Sequence, residues 1–200
     1  MSLSEPRPTL DLAALDDAAL LHWVWNRLAA AADTPEDSMH LHVLATTAEG
    51  GGPDARLMVL RGASEVQGAI WYHADAASTK IRQMQADPAA CVVVYDAPTD
   101  LQLRLRGTAS IVTSDEEIRA HWHHIRAIVQ QLRHDTGEAP PHDLRLEALN
   151  RSDHDPAWQP DHFAVIQIHP NTIDVLSPQN GAPRRRRLTV EHQHSRDDAH

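Results

Sequence analysis

The sequence predicts a mostly β, α+β fold in which an antiparallel β-barrel is flanked by helices. Short apolar runs of strand length are separated by turn residues, and strands and helices do not alternate regularly along the chain. A chain of 200 residues, 42% of them hydrophobic, can bury one sizeable core. We therefore expect a single domain over residues 1–190 and a disordered tail at 191–200.

The first half of the chain reads as a helix followed by strands. Two acids, Asp16 and Asp17, open an apolar segment and predict a helix over residues 16–32. Glycines at 50–52 predict the turn of a β-hairpin, and Asp87-Pro88 predicts the end of a short helix over 78–86. The predicted strands are residues 40–45, 56–61, 69–73 and 91–95.

The second half begins with a strand whose two faces differ, because apolar and polar residues alternate from Leu101. Ser114 and Glu117 have the spacing of a capping box, and the apolar residues that follow recur at helical spacing, which predicts a helix to about His134. The rest of the chain divides into a predicted mobile covering segment at 135–161, with at most a short helix at 143–150, and strands at 163–168, 172–176 and 187–190.

Charge and cysteine content narrow the class of protein. The formal net charge is −10, and an acidic chain is unsuited to nucleic acid or an anionic membrane, so we expect small molecules or other protein as partners. No run of eighteen apolar residues predicts a membrane span. The single cysteine, Cys91, excludes an intrachain disulfide and is expected to be a buried thiol, which favours a reducing, cytoplasmic location.

An anion site is indicated where a strand gives way to a helix at Ala77-Ser78-Thr79-Lys80. Backbone N–H groups and two hydroxyls can face an anion there, and Lys80, the only lysine, adds a charge. A serine N-cap followed by a solvated lysine would give the same pattern. Arg56 and Arg61 have odd spacing, so they share a pocket only if a twist or bulge intervenes.

Four segments in register resemble the pyridoxamine 5'-phosphate oxidase-like family of FMN-binding split barrels. They are R-L-M-V-L-R from Arg56, W-Y-H-A-D-A-A-S-T-K from Trp71, D-P-A-A-C-V-V-V-Y from Asp87, and L-Q-L-R-L-R-G-T-A from Leu101. The resemblance implies an antiparallel split β-barrel flanked by helices, FMN as cofactor, and a homodimer with the flavin site at the subunit interface.

The resemblance also implies roles for individual residues. Arg56, Ser78, Thr79 and Lys80 match the positions that hold the FMN phosphate, and Arg61 matches the basic position near the polar edge of the ring, where a cation stabilises a reduced flavin. The full set of matched cofactor positions is Arg56, Met58, Val59, Leu60, Arg61, His73, Ala74, Ser78, Thr79, Lys80, Gln102 and Arg187.

The C-terminal part departs from true pyridoxamine 5'-phosphate oxidases. Leu176 stands near the family tryptophan, and the run of arginines at 184–187 stands where an R-L-H-D-R-like motif is expected. Trp122 and Arg126 roughly match the aromatic and basic pair that contact substrate phosphate, although a tryptophan at that position is more often a core anchor. The sequence therefore does not identify the substrate.

The fifteen histidines do not assemble a recognisable metal site. His40 and His42 share a strand face, and His121 and His124 share a helix face, but no third ligand can be assigned to either pair. No metal is expected. The leading hypothesis is an FMN-dependent oxidoreductase acting on a small molecule. The alternative is a non-catalytic flavin- or haem-binding protein on the same barrel, and a deazaflavin in place of FMN is a third hypothesis.

Overall fold

The structure is a computed structural model that describes residues 10, 12, 14–136, 163–177 and 184–191, with side chains omitted from 126 to 136. The helices in these stretches are α1 (Asp17–Ala32), α2 (Thr79–Ala86) and α3 (Asp115–Thr136). The strands are β1 (Leu41–Thr47), β2 (Pro53–Val59), β3 (Gly62–Ser64), β4 (Ala69–Asp75), β5 (Ala89–Asp96), β6 (Leu101–Ile111), β7 (Phe163–Ser177) and β8 (Arg184–Thr189).

The predicted antiparallel barrel is confirmed. The sheet runs in the order β2-β1-β5-β6-β7-β4-β3, and β8 pairs with β7 outside this path. Its two ends are consecutive in sequence: Leu60 N donates to the His40 carbonyl beside β1, and Arg61 N donates to the Trp71 carbonyl of β4. One stretch of chain therefore leaves β1 and joins β4 at residues 60–61, which closes the sheet into a split barrel.

The strand β7 differs from the prediction of two separate strands. It is continuous over fifteen residues, and its pairing with β6 shifts register between Arg106 and Gly107. A β-carbon on Gly107 would lie 1.9 Å from the His169 carbonyl oxygen, so only glycine permits this approach. The local bulge interrupts the side-chain alternation that sequence patterns rely on, and Pro170 falls inside the strand because its partner there is shifted.

Helix α1 begins as its sequence predicts, because the Asp16 side chain accepts from Ala19 N at 2.7 Å. One face of the helix is buried in the hydrophobic core through Leu20, Val24, Trp25, Leu28 and Ala31. On another face, Arg27 Nη2 lies 2.8 Å from carboxylate oxygens of both Asp37 and Asp96. Because Asp96 is buried at the end of β5, this network attaches the helix to the barrel.

The start of α3 shows half of the predicted capping box. Ser114 Oγ accepts from Glu117 N at 3.4 Å, but the Glu117 carboxylate accepts from the Gln167 side chain of β7 at 2.8 Å. The glutamate thus anchors the helix to the sheet instead of capping it. The predicted helix at 143–150, the covering segment beyond residue 136 and the tail from 192 lie outside the described residues.

Two further sequence expectations concern exposure to solvent. Cys91 is half-buried on the outer face of the sheet, opposite Arg106 of β6, so the expectation of a buried thiol is wrong. The residues of its strand alternate between the two faces of the sheet, and the neighbouring Ala90 and Val92 face the core.

No helix in the described part of the chain is long and apolar enough to cross a membrane.

Candidate functional site

The turn before α2 is closed by internal hydrogen bonds, and among the described residues only the N–H groups of Thr79 and Lys80 at the start of the helix have no hydrogen bond. Asp75 shapes the turn by accepting from Ala77 N at 2.7 Å, and the Ser78 hydroxyl donates to the Asp75 carbonyl at 2.6 Å. The Ser78 side chain therefore does not cap α2, and the first turn of the helix holds no acidic residue. The interpretation as an ordinary serine N-cap is wrong, and the positive end of the helix dipole is left for an anion.

Arg56 is held from three sides next to this turn. Its guanidinium donates to Thr46 Oγ1 at 2.6 Å and to Gln83 Oε1 at 2.8 Å, and it forms an ion pair with Asp54 at 2.8 Å. Gln83 completes the network by accepting from Thr46 and donating to Asp54, each at 2.8 Å. Residues of β1, β2 and α2 thus fix the arginine in one orientation.

Lys80 lies close to Arg56 but has no carboxylate partner. No acidic side chain of the described residues is within ion-pair distance of its ammonium group, although Asp75 is near enough to act through its charge. Partial burial lowers the pKa of Lys80, the positive charge of Arg56 lowers it further, and Asp75 opposes both. Two cations of a protein with net charge −10 are therefore placed beside an uncapped helix start.

The residues predicted to line the flavin ring differ in how far their side chains are exposed to solvent. Met58 and Leu60 are packed into the core, while Val59 lies on the outer face of the sheet opposite Leu41. Arg61 follows the strand switch at residues 60–61, so it does not lie in the same regular strand as Arg56. This interruption is the irregularity that the two arginines need in order to share one site. Met58 and Leu60 can offer a ligand only backbone atoms or the packing beneath it.

His73 and Ala74 point to opposite faces of β4. Ala74 is part of the core, whereas His73 is buried under α3, with its Nε2 3.4 Å from His121 Nδ1. The Nδ1 atom of His73 is buried and has no hydrogen-bond partner in the part of the chain that the structure describes. Burial, followed by the charges of Arg61, His121 and His124, holds the pKa of His73 well below its usual range, so the imidazole is neutral at pH 7.

Gln102 is not brought to Arg56 within one chain. It is exposed on the outer face of β6, three strands from β2 in the sheet, which corresponds to roughly 14 Å at the usual strand spacing. Arg187, on the neighbouring part of the same face, donates through Nε to Asp174 at 2.9 Å. Within this chain Arg56 and Lys80 therefore form one group of predicted cofactor residues, and Gln102 and Arg187 form another.

Asp174 is the centre of an arginine cluster, which we define as Asp174 with Arg104, Arg106, Arg185 and Arg187. Arg104 donates through Nε and Nη2 to the same carboxylate oxygen, at 3.2 and 2.7 Å, and Arg185 lies 3.3 Å away. Burial alone would raise the pKa of Asp174, but hydrogen bonds from Arg104 and Arg187 and the nearby charges lower it to about 2. Four guanidinium groups surround one carboxylate on this face.

Arg186, in the run of arginines at 184–187, makes a different set of contacts. Arg186 points to the opposite face of β8, where it donates to the Leu12 carbonyl, to the Leu15 carbonyl and to the Asp17 carboxylate. Strand alternation thus divides the run between the arginine cluster and the beginning of α1.

Trp122 is 3% exposed, and its ring packs edge-on against Phe163 at a centroid distance of 5.3 Å. That environment is typical of a core anchor, and the predicted contact with substrate stays a prediction. The side chain of Arg126 lies outside the described residues.

In the part of the chain that is described, no three histidine, cysteine or acidic side chains are grouped closely enough to hold a metal ion.

Comparison with known families identifies the chain. The sequence model of the family described as pyridoxamine 5'-phosphate oxidase matches residues 28–153, which include the last turn of α1, the strand switch, the α2 turn and β6. The chain belongs to the pyridoxamine 5'-phosphate oxidase-like family. Arg56, Lys80 and Gln102 all fall within the matched range.

Solved structures of this family share the fold. A pyridoxamine 5'-phosphate oxidase-related, FMN-binding protein of Nostoc punctiforme is 25% identical with a TM-score of 0.54, covering 84% of this chain and 86% of its own. A protein of Clostridium acetobutylicum related to general stress protein 26 is 12% identical with a TM-score of 0.56, covering 88% and 97%. The second likeness supports the split-barrel fold alone.

Sequence reasoning missed the residues that support Arg56. Thr46, Asp54 and Gln83 were not candidates, yet they supply its strongest hydrogen bonds and its ion pair in this family member. Periodicity gave no signal for Gln83, because it lies two residues after Ile81 on the helix and such residues do not share a face, although the structure buries both.

Proposed function

We propose that the protein binds FMN, with the phosphate held by Arg56, Lys80 and the start of α2, and that it is an FMN-dependent oxidoreductase acting on a small molecule. The observation that carries this proposal is Lys80, a half-buried cation without a carboxylate partner among the described residues, next to the immobilised Arg56 and the uncapped N-terminus of α2. A phosphate dianion would satisfy all three features together.

The residues present fit the group. The fixed Arg56, the nearby Lys80 and the N–H groups at the start of α2 suit a phosphate, and the absence of an acid in the first turn of α2 removes repulsion. FMN supplies hydride or electron transfer when bound. The chain itself binds the phosphate through Arg56 and Lys80, positions Arg61 as a cation at the predicted polar edge of the ring, and keeps His73 neutral beneath α3.

A homodimer would join the two groups of predicted cofactor residues. Four of the exposed large apolar side chains, Leu41, Val43, Leu57 and Tyr95, lie on the outer face of β1, β2 and β5. Cross-strand pairing makes them neighbours, since Val43 is opposite both Leu57 and Val93. We call these four residues the apolar patch. A second copy covering it would bring Gln102 and Arg187 of one subunit toward the flavin of the other.

The test compares FMN with riboflavin, which lacks only the phosphate. Purified protein should be yellow, and Lys80→Met and Arg56→Met should each weaken FMN binding by about 1.5–3 kcal/mol, the value of one charge-assisted contact. Riboflavin affinity should change little in both variants, and Lys80→Arg should retain most of the FMN affinity. Protein that binds no FMN on titration, or variants that affect both flavins equally, would remove the phosphate assignment.

Catalysis is tested separately from binding. Reduction of the bound flavin by NADH or NADPH without oxygen supports the oxidoreductase, whereas a stable oxidised flavin or a Soret band on adding haem supports the non-catalytic binder. The mass of the ligand released on denaturation separates FMN from a deazaflavin. A cytoplasmic location is part of the proposal and is supported by the single, half-buried Cys91.

A further inference from the structure

A concave surface lies on the outer face of the sheet, at the end of β1 away from the strand switch. Its volume is about 720 Å³, within the usual range for a small-molecule pocket. The β1–β2 turn, the beginning of β5, the bulge of β6 and two residues of β7 border it. Small side chains such as Ala45, Pro53 and Ala89 form its walls, and Arg106 is the one charged residue in its described lining. We call it the Arg106 pocket.

One wall of the Arg106 pocket is held in place by hydrogen bonds. The Thr47 hydroxyl at the end of β1 donates to Asp87 at 2.7 Å, and the other carboxylate oxygen of Asp87 accepts from Ala89 N at 3.0 Å. These contacts tie the β1–β2 hairpin to the beginning of β5. The fold therefore sets the shape of this wall before any ligand binds, which reduces the cost of binding.

The opposite wall is the bulge between β6 and β7. Gly107 pairs with Pro170 and Arg106 pairs with Thr172, so Asn171 is an extra residue on β7. A bulge interrupts the regular alternation of side chains along a strand. Asn171 and Thr172 consequently both line the pocket, although they are adjacent in sequence.

Arg106 is the surplus cation of the arginine cluster. Both oxygens of Asp174 already accept hydrogen bonds, from Arg104 at 2.7 Å and from Arg187 at 2.9 Å, and Arg185 is 3.3 Å away. Arg106 Nη2 is 3.9 Å from the carboxylate, and its guanidinium makes no hydrogen bond to a residue that the structure describes. Because the side chain is 46% exposed, its N–H donors are available to a ligand at the pocket.

The charge balance beside the pocket favours an anion. The arginine cluster places four guanidinium groups around the single negative charge of Asp174, which leaves this face with a positive excess. On the far wall, the carboxylate of Asp87 is engaged by Thr47 and by Ala89 N. A negatively charged group next to Arg106 is therefore attracted by more charge than repels it.

Two neutral side chains beside Arg106 also have free hydrogen-bonding groups. Thr172 is opposite Arg106 in the β6–β7 ladder, and neither its hydroxyl nor the Asn171 amide has a hydrogen-bond partner within the described ranges. One guanidinium with free donors suits a planar carboxylate, which it can bind through two parallel hydrogen bonds. The small apolar walls suit a compact hydrocarbon body.

We propose that the Arg106 pocket binds a small carboxylic acid with a compact apolar body, at a site separate from the flavin. Arg106 binds the carboxylate, Thr172 and Asn171 add hydrogen bonds, and the alanine and proline walls contact the apolar body. None of the residues that line the pocket is among the matched cofactor positions. The sheet separates the two sites, because Thr46 lines the pocket from β1 while its hydroxyl contacts Arg56 on the other face.

The test uses Cys91, the only cysteine of the chain, which lines the pocket and is half-buried. The full chain is alkylated with iodoacetamide in phosphate-free buffer, and the rate is followed by intact mass. Adding 3-phenylpropionate should slow alkylation in a saturable manner, and the concentration dependence gives Kd. The neutral 3-phenylpropionamide should bind at least about tenfold more weakly, because only the acid makes charge-assisted hydrogen bonds.

Variants assign the ligand to Arg106. Arg106→Gln should weaken 3-phenylpropionate binding at least about tenfold and leave the amide unchanged. Arg185→Gln is the matched control, since Arg185 is 50% exposed, belongs to the same arginine cluster and does not line the pocket, so both affinities should stay within about twofold. Ala45→Leu fills the space opposite Cys91 and should block both compounds.

Calorimetry provides a second measure of Kd that does not use the thiol. Burial raises the pKa of Cys91, and the charges of Arg104 and Arg106 oppose this. Replacing Arg106 therefore also changes the intrinsic rate of alkylation, so each variant is compared with its own rate without ligand. Titration by calorimetry should give the same order of affinities for the wild type and the three variants.

Several results would overturn the inference. They are equal affinity for acid and amide, an unchanged Kd in Arg106→Gln, displacement of 3-phenylpropionate by FMN, or equally tight competition by inorganic phosphate. The pocket adjoins the apolar patch, since Ala45 is two residues beyond Val43 on the same strand face. A Cys91 that does not react in the protein without ligand would mean that a partner subunit closes the pocket, which also overturns the inference.

FMN binding measured on the same samples separates this proposal from the flavin function. Binding of 3-phenylpropionate without FMN binding removes only the flavin function, and the reverse removes only the Arg106 pocket.

Discussion

His42 and Tyr72 are joined by a hydrogen bond inside the barrel, with 2.7 Å between His42 Nδ1 and the Tyr72 hydroxyl oxygen. The other ring nitrogen, Nε2, lies 2.9 Å from the Met39 carbonyl oxygen, which can only accept. Nε2 therefore carries the proton, and Nδ1 accepts from the tyrosine. Neither side chain is exposed to solvent, so this bond connects β1 to β4 in the core.

This pair predicts a loss of stability in mild acid. Burial lowers the pKa of His42 to about 4 from 6.5. Above pH 6.5 the ring is neutral in both states and contributes no pH dependence. Between pH 6.5 and 4 only the unfolded state takes up the proton, so the free energy of unfolding falls, by about 3 kcal/mol once the pH is below 4. Urea unfolding at pH 7.5, 5.5 and 4.5 measures this slope.

Variants assign the slope to His42. His42→Gln keeps an acceptor and a donor but cannot be protonated, so its stability should depend less on pH than that of the wild type. Tyr72→Phe should cost about 1–3 kcal/mol at pH 7.5, because Nδ1 loses its buried partner. Equal slopes in the wild type and His42→Gln would show that other groups, such as the buried His73, dominate the acid response.

The arginine cluster predicts a second electrostatic effect. Asp174→Asn should destabilise the protein by about 3 kcal/mol at pH 7, because four guanidinium groups lose their shared carboxylate. The pKa of Asp174 is about 2 in the folded state, so its contribution is complete above pH 3.8 and is lost as the pH falls through 2. Denaturant unfolding at low and high NaCl checks the cause, since salt should reduce the penalty by screening repulsion between arginines.

A neighbouring arginine is the control for that variant. Arg106→Gln should change stability by less than about 1 kcal/mol, because Arg106 is 46% exposed and 3.9 Å from Asp174. If Arg106→Gln were as harmful as Asp174→Asn, the cluster would be a cooperative network in which every arginine is needed.

Local patterns predicted most of the elements of this fold. The alternation from Leu101 and the acids at Asp16 are properties of adjacent residues, and they placed β6 and α1 to within a residue or two. The strand switch at residues 60–61 and the short β3 were not predicted, because they depend on which distant strands pair. The continuity of β7 depends in the same way on Gly107 of another strand.

The candidate site was predictable only where its residues stand in a recognisable order. Arg56 and Lys80 were found through the family resemblance, and the structure places them close together. Gln83 was not found, because a glutamine in a short helix usually faces solvent, and its contacts with Thr46 and Arg56 exist only after α2 has packed on the barrel. Support for a binding residue is a tertiary property that periodicity does not encode.

The apolar patch predicts that dimerisation can be disrupted by one charge. Leu57→Glu should convert a dimer to a monomer, because Leu57 is 63% exposed in one subunit and a carboxylate there would be buried without a partner. Val66→Glu is the matched control, since Val66 is 95% exposed in the β3–β4 turn, outside the patch. Sedimentation velocity distinguishes the states. A monomeric wild type, or a Leu57→Glu variant that stays dimeric, contradicts this assignment.

Gln83 predicts an indirect effect on phosphate binding. Gln83→Met removes the oxygen that accepts from Arg56 and Thr46, which should leave the arginine less ordered and weaken FMN binding about tenfold, or 1.4 kcal/mol. Gln83→Glu should still accept from Arg56 but weaken FMN binding more than methionine does, because its negative charge opposes the phosphate and repels Asp54, to which Gln83 donates. Riboflavin titrations should be unaffected by both changes. Equal losses for riboflavin and FMN would mean that Gln83 supports the barrel and not the phosphate site.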